Sequence, residues 1–423
     1  MSTQKKKLIA IFSVILTDIT GFGMVIPLTP ILARDFGAEG LKIGLLISCY
    51  SMVQFLFAPF WGRLSDTFGR KNVILLGLFG SGLAHLLFAF STDFNDIVIS
   101  RLLAGFFVGN VVIATAYIAD ITSQQNRSKN LALIVMAFGA GFTIGPLLGF
   151  LFILFGSQLG STPPFGVHFA SMGASLLCFT NCALAFLFLK ESLSQKAEFT
   201  KVFQKNSVFK RPSLYLLWES LRTPKLGIIL IMSFILWFSL AQIEPVLILL
   251  VQDDFAWDKK TAYSSFIYIG LLMVLSQGYL VRKWIPKWGE SLVNRMGLLT
   301  MSIGLIAIAI AGFVAYASMP FFSIAFFILF VGVTFFAIGY SLSNTSLNGA
   351  LSLMTSEDKQ GSIFGVNQSL SSMARIIGPA TGGWFYQHFN HESPFVFAGA
   401  LSLSALAIAI LYKKNFPNKG KIT

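Results

Sequence analysis

Long apolar stretches separated by short polar ones dominate this chain from end to end. A window of about 20 apolar residues is long enough to cross a bilayer as a helix. Twelve such windows occur, at about 8–33, 41–61, 72–91, 97–119, 130–155, 168–189, 225–251, 261–284, 292–316, 320–346, 362–387 and 393–412. The runs are continuous, whereas strands of a lipid-spanning barrel alternate, so helices are predicted. The first run carries Asp18 at its centre and lacks a clean small-x-small cleavage site, which makes it a span rather than a signal peptide. The predicted fold is an all-α membrane protein with twelve transmembrane helices in two six-helix halves. The halves are 1–189 and 225–423, joined by a cytoplasmic linker at 190–224.

Composition strengthens this reading. Only 12% of residues are charged and 55% are hydrophobic, where a soluble domain carries about 25% charge. Such a chain cannot clothe itself in polar groups, so lipid is its expected solvent. The net charge of +13 raises the question of nucleic acid, and the placement of the cations answers it. With the N-terminus inside, 25 of the 31 Lys and Arg fall in cytoplasmic segments and four in outer loops. That asymmetry places both termini in the cytoplasm and accounts for the charge without a nucleic-acid partner. The linker cations Lys196, Lys201, Lys205, Lys210 and Arg211 suit either an anionic leaflet or a solvated connection. Cys49, Cys178 and Cys182 all lie in apolar runs and read as small buried hydrophobes, not a disulfide framework.

The halves are related. Without gaps, 117–149 aligns with 350–382, bringing Ile144-Gly145-Pro146 onto Ile377-Gly378-Pro379. Pro27 aligns with Pro245, and the loop Gly62–Gly69 has a degraded partner at 278–289. An even number of spans separates the copies, so they share an orientation, as in transporters built from parallel repeats.

Charges inside apolar runs are the candidate chemistry. They are Asp18, Glu244, Arg101, Arg375 and His85. An ionisable group at mid-bilayer costs about 3 kcal/mol or more, so such groups face a cavity or a partner. Desolvation disfavours a charged carboxylate and an approaching cation favours it, so one carboxyl can exchange a proton for a substrate. Asp18 and Glu244, from corresponding spans at different depths, are the expected proton-coupling and substrate groups. For Glu244 the alternative is a structural carboxyl bonded to backbone freed by Pro245. Arg101 is expected to pair with an acid or carbonyl and to tune Asp18. Arg375 reads equally as a cavity anion site or a donor to carbonyls, and His85 as structural or titrating. Gln54, Asn110, Gln242 and Gln368, with Gln277, Asn344 and Asn367, either line the cavity or bond between helices, each such bond contributing about 0.6 kcal/mol.

Five motifs carry a family resemblance. Gly62-x-x-x-Asp66-x-x-Gly69-Arg70-Lys71, after the second span, resembles the signature loop of the major facilitator superfamily. Arg101-Leu-Leu-Ala-Gly105 resembles its fourth-span arginine motif, and Gly141-Phe-Thr-Ile-Gly145-Pro146-Leu-Leu-Gly149 the fifth-span motif of its drug:proton antiporters. Asp18-x-x-Gly21-x-Gly23-x-x-x-Pro27 with Tyr50-x-x-x-Gln54, and Gly365–Gly383, look like the tetracycline-efflux-like branch. The resemblance implies a cytoplasmic latch of Gly62, Asp66, Gly69, Arg70 and Asp120, with Asp66 reaching the start of the eleventh span near Gly361. It implies gating by Gly141, Gly145, Pro146, Gly149, Gly378 and Pro379.

Two departures narrow the substrate. Thr67 stands where the family usually has a cation, and the third span reads Ala84-His-Leu-Leu-Phe-Ala-Phe90, without the tetracycline exporters' aspartate. An amphipathic organic cation or neutral drug fits better than a tetracycline–metal chelate. The expected function is proton-coupled efflux of small amphipathic molecules by alternating access; a metabolite importer is the alternative. No G-x-x-x-x-G-K-[ST], pore loop, HExxH or GxSxG is present, which disfavours an ATP-driven pump, a channel and a membrane enzyme. A monomer in the bacterial inner membrane is expected, with protons and a small molecule as partners and no cofactor.

Overall fold

The structure is a computed structural model, in which residues 3–122, 127–192, 213–317, 322–355 and 360–413 are described. It is helical throughout. The helices are α1 Thr3–Val25, α2 Leu28–Asp35, α3 Gly40–Phe68, α4 Arg70–Ala89, α5 Phe94–Phe107, α6 Asn110–Ile121, α7 Arg127–Leu159 and α8 Phe169–Phe188. They continue with α9 Ser213–Arg222, α10 Pro224–Asp253, α11 Lys259–Leu275, α12 Arg282–Ala317, α13 Phe322–Met354, α14 Gln360–His388 and α15 Ser393–Leu411.

Ten described segments are long and apolar enough to cross a membrane. One of them, Lys259–Ala315, is 57 residues and holds two crossings, parted where Gly289 takes φ 75°. The polar α14, 29 residues long, completes the twelve spans. Outward-facing Leu187 (69% exposed), Phe327 (68%) and Phe313 (64%) would be costly in water and are at home in lipid. The protein is a multi-pass membrane protein.

The chain forms two compact units, Met1–Gly37 with Cys49–Lys210, and Ala38–Ser48 with Arg211–Thr423. In the first, Ile11, Ile15, Ile74, Ile113, Tyr117 and Trp61 form a buried cluster. In the second, Gly40 and Gly44 at the start of α3 lie against Gly383 and Pro379 of α14. Most of the linker expected at 190–224 falls in 193–212, outside the described residues; α9 occupies its end.

Two predicted spans are broken. The first divides at Pro27, whose ring nitrogen has no hydrogen to continue the helical ladder. The fourth divides at Val108–Gly109, where Trp61 packs so closely that a Cβ at Gly109 would stand 2.5 Å from its Cγ. The break frees the carbonyl of Phe106, which accepts from Nε1 of Trp61. It also makes Asn110 the first residue of α6, turning its amide into the first unit's interior.

Caps fix helix starts outside the spans. Asp93 and Asp96 form a reciprocal capping box at α5, and Asp258 accepts from the backbone of Lys260 and Thr261 at α11. Beyond α10, Asp254 accepts from His391 Nδ1 at 2.7 Å, and the His391 ring stacks on Tyr386 at 4.4 Å. The hydrogen bond to Asp254 holds the His391 imidazole above its usual range, with Asp253 and Glu392 adding to the effect. A raised histidine stabilises fully below its unfolded value, about 6.5, and that contribution fades as pH climbs through the folded value. The thermal midpoint of wild type should therefore fall relative to His391→Gln as the pH is raised above about 6.5. Parallel pH profiles for the two proteins would show that the pair contributes nothing.

Candidate transport and coupling site

In the first unit, the carboxyl of Asp18 sits on α1 and is 6% exposed. The Asn110 side chain stands beside it as a hydrogen-bonding neighbour, and the Cys178 thiol lies close by. The turn carrying Asp18 is crossed at close range by α7. A Cβ on Gly145 would lie 2.7 Å from the Thr20 carbonyl oxygen and 2.8 Å from Gly23 Cα. One on Gly141 would lie 2.6 Å from Ile19 Cγ2. Only residues without a side chain permit this approach. Pro146 lies within α7, and Gly149 is buried further along it. From the other side, Asn181 of α8 donates to the Val14 carbonyl at 2.9 Å.

Arg101 departs from expectation. Among the described residues no carboxylate pairs with it; its guanidinium lies over the Phe88 ring at 4.4 Å and its Nη2 stands 3.4 Å from His85 Nδ1. Facing a donor, that ring nitrogen must accept. Ser171 Oγ donates to the His85 carbonyl at 2.8 Å, fixing this turn of α4 against α8. Tyr50, near Arg101, stacks on Phe22 at 5.1 Å, so an aromatic wall continues toward α1. Gln54 is half-buried one turn beyond Tyr50 on α3.

The second unit repeats the crossing. A Cβ on Gly378 would lie 3.1 Å from both the Phe238 carbonyl oxygen and Ala241 Cβ. Phe238 and Ala241 correspond to Thr20 and Gly23 in the register that pairs Pro245 with Pro27, so α14 lies on α10 as α7 lies on α1. In that register Glu244 matches Ile26, eight residues beyond Asp18, or about 12 Å along a helix. Glu244 is half-buried, with Arg375 and Tyr340 in its electrostatic surroundings and Trp237 edge-on to Tyr340 at 6.0 Å. Gln242 is fully buried and donates to the Pro394 carbonyl at 2.6 Å, a helix-joining bond. Gln368 is exposed, while its neighbour Asn367 turns inward and donates to Asn348 at 3.3 Å.

At the predicted cytoplasmic end of the first unit, Arg70 gathers the loop. It bonds Asp66 at 2.6 Å, Asp120 at 3.1 Å and Ser65 Oγ at 2.6 Å. Gly62 lends its carbonyl to Ser65 Oγ, and Gly69 takes φ 92° to start α4. The segment ahead of Gly361, where a partner for Asp66 is expected, includes 356–359, outside the described residues.

Glu191 is the member the sequence reading missed. Its two oxygens accept from the backbone N–H of Arg70 (3.0 Å) and Lys71 (3.1 Å), capping α4 where the helix dipole favours an anion. Glu191→Ala should lower stability by about 1 kcal/mol, read as a lower thermal midpoint of the purified protein. An unchanged midpoint would remove the cap from the account. In the second unit Gly289 repeats the positive φ, but Glu290 follows it in place of Arg70 and is 6% exposed. The charge at this position is thus reversed between repeats.

Among the described residues, no three His, Cys, Asp or Glu stand together as a metal site. Twelve spans in two repeated units, each with a membrane carboxyl on the helix that a glycine–proline helix crosses, define a secondary transporter. A sequence model of the Major Facilitator Superfamily matches residues 11–319 and 291–423, and the chain belongs to that family. It is 28% identical to Multidrug resistance protein 2 of Bacillus subtilis (strain 168), over 98% of this chain and 97% of that one. It is 26% identical to Quinolone resistance protein NorA of Staphylococcus aureus, over 97% and 98%. It is 28% identical to the class B Tetracycline resistance protein of Escherichia coli, over 88% and 86%. Among solved structures, the human organic anion transporter MFSD10 (TETRAN) matches with TM-score 0.66 at 24% identity, covering 97% of this chain and 100% of that one. That likeness speaks for the fold alone.

Proposed function

We propose that this protein is a proton-driven exporter of small amphipathic molecules, working by alternating access. The observation that carries the reading is Asp18: a carboxyl shut inside the first unit, on the turn that Gly141 and Gly145 of α7 press upon, with the neutral side chains of Asn110 and Cys178 beside it. A carboxyl so placed is poorly served as an anion until a cation or a proton arrives. Proton and substrate therefore compete for it, and competition for one site yields exchange. Gly145 and Pro146, and their repeats Gly378 and Pro379, are the hinge elements of the helices that cross the two carboxyl-bearing helices. Arg70 with Asp66, Asp120 and Glu191 steadies the cytoplasmic end of the first unit as these helices move.

The multidrug, quinolone and tetracycline resistance proteins among the relatives support the exporter direction. The excess of predicted cytoplasmic cations supports a bacterial inner-membrane location with both termini in the cytoplasm. The protein acts as a monomer in lipid, and it moves its substrate without changing it chemically, so it is not an enzyme. Inside-out vesicles whose lumen has been acidified should accumulate a cationic dye as protons leave, and a protonophore should release it. Dye movement indifferent to the gradient would overturn the reading.

A further inference from the structure

We infer that the second unit recognises zwitterions, seating the substrate's cationic group at Glu244 and its carboxylate at Arg375. The inference rests on the exporter reading and names the substrate class of the same protein. Glu244 of α10 and Arg375 of α14 are both half-buried, so part of each side chain is open to a ligand. Each is in the other's electrostatic surroundings. Yet among the described residues neither makes a hydrogen bond, they do not close into an ion pair, and Arg375 Nε is buried with no acceptor. Two opposite charges thus lie near enough to act on one another and are not joined.

The spacing is imposed by the backbone. Gly378, one turn from Arg375, lies against Phe238 and Ala241, and a Cβ on Gly382 would come 2.6 Å from the Gln242 carbonyl oxygen. Gln242 is itself tied to Pro394, so α10 has little room to slide and close the pair. Tyr340, backed by Trp237, completes an aromatic side for the apolar body of a ligand.

Charge complementarity then selects the ligand. A simple cation at Glu244 leaves the Arg375 guanidinium uncompensated and repelled, and a simple anion at Arg375 does the same to Glu244. A molecule with both charges, separated by a rigid aromatic body, satisfies both. The planar, five-donor guanidinium also suits a carboxylate, which it holds through two parallel bonds. Arg101 offers no such site in the first unit, since it is 3% exposed beneath Phe88 and against His85.

The test uses a cationic, rhodamine-type xanthene dye with a free carboxylate, which is a zwitterion, and its methyl ester, a simple cation that differs by that charge and one methyl. Fluorescence polarisation on the purified full-length protein reads binding, and inside-out vesicles read transport. Wild type should bind the acid at least about tenfold more tightly than the ester, the discrimination expected when one buried charge goes unmatched. Arg375→Gln should erase the preference, weakening the acid while relieving the repulsion on the ester, and Arg375→Lys should restore part of the preference. Equal binding of the two dyes by wild type, no binding of the acid, or an equal loss of both in Arg375→Gln would overturn the proposal. Tight, Arg375-dependent binding of the acid without gradient-driven transport would keep the zwitterion site and sink the exporter reading instead.

Discussion

Asp18→Asn should abolish gradient-driven accumulation while leaving a folded protein that still exchanges dye for dye. Asparagine matches the shape of a carboxylic acid but carries no exchangeable charge, so the packing around α1 is kept and the coupling is lost. The scale is set by the gradient. A difference of about two pH units is worth about 2.7 kcal/mol per proton, which supports about 100-fold accumulation in one-for-one exchange. In the variant the ratio should fall to about one. Asp18→Glu, which keeps the proton but displaces it by one methylene, should recover part of the gradient dependence. Full accumulation by Asp18→Asn would move the coupling site to another residue.

The second large effect concerns the glycine crossing. Gly145→Ala places a Cβ 2.7 Å from the Thr20 carbonyl and 2.8 Å from Gly23 Cα, both backbone atoms that no side-chain rotation can withdraw. The helices α1 and α7 must separate, with an overpacking cost of about 1–3 kcal/mol. Gly378→Ala is the matched control in the second unit. There the nearest atoms are 3.1–3.2 Å away, so a shift of a few tenths of an ångström relieves the contact. Its cost should stay below about 1 kcal/mol. Thermal midpoints of the two purified variants should order accordingly, with Gly145→Ala lower and slower in transport. Equal midpoints would mean that the two crossings are not packed as described.

The two cases show what a linear reading catches. Ile-Gly-Pro occurs in both halves, and that short run marks the repeat in which the matched crossings lie, though not the helices they cross. The spans were legible because hydropathy is a property of the segment itself. So were Asp18, Glu244 and Arg375, since a charge within an apolar run stands out. The grouping of Arg70 with Asp66 and Asp120 also followed, because a cation and two acids sat at the ends of adjacent predicted spans.

What escaped depends on distant partners. The break at Gly109 leaves no trace in an apolar window, and the residue packed against it is Trp61 from another helix. Glu191 stands 121 residues from the Arg70 N–H it caps, and in sequence it is merely the first acid beyond a span. Arg101 was expected to find an acid or a backbone carbonyl; instead His85, 16 residues earlier, supplies a ring nitrogen and Phe88 a ring face. The opposite roles of neighbours Asn367 and Gln368, one buried and one exposed, depend on the rotation of α14, which its mixed polar pattern does not reveal.

The central claim is that substrate and proton exclude one another at Asp18. The direct measurement is proton release when a saturating cationic dye is added to purified protein in weakly buffered detergent solution, followed with a pH indicator. Wild type should release protons in proportion to bound dye, most at a pH where Asp18 is protonated, and Asp18→Asn should bind dye with no release. Dye binding by wild type without proton release, or equal release from both proteins, would contradict the account.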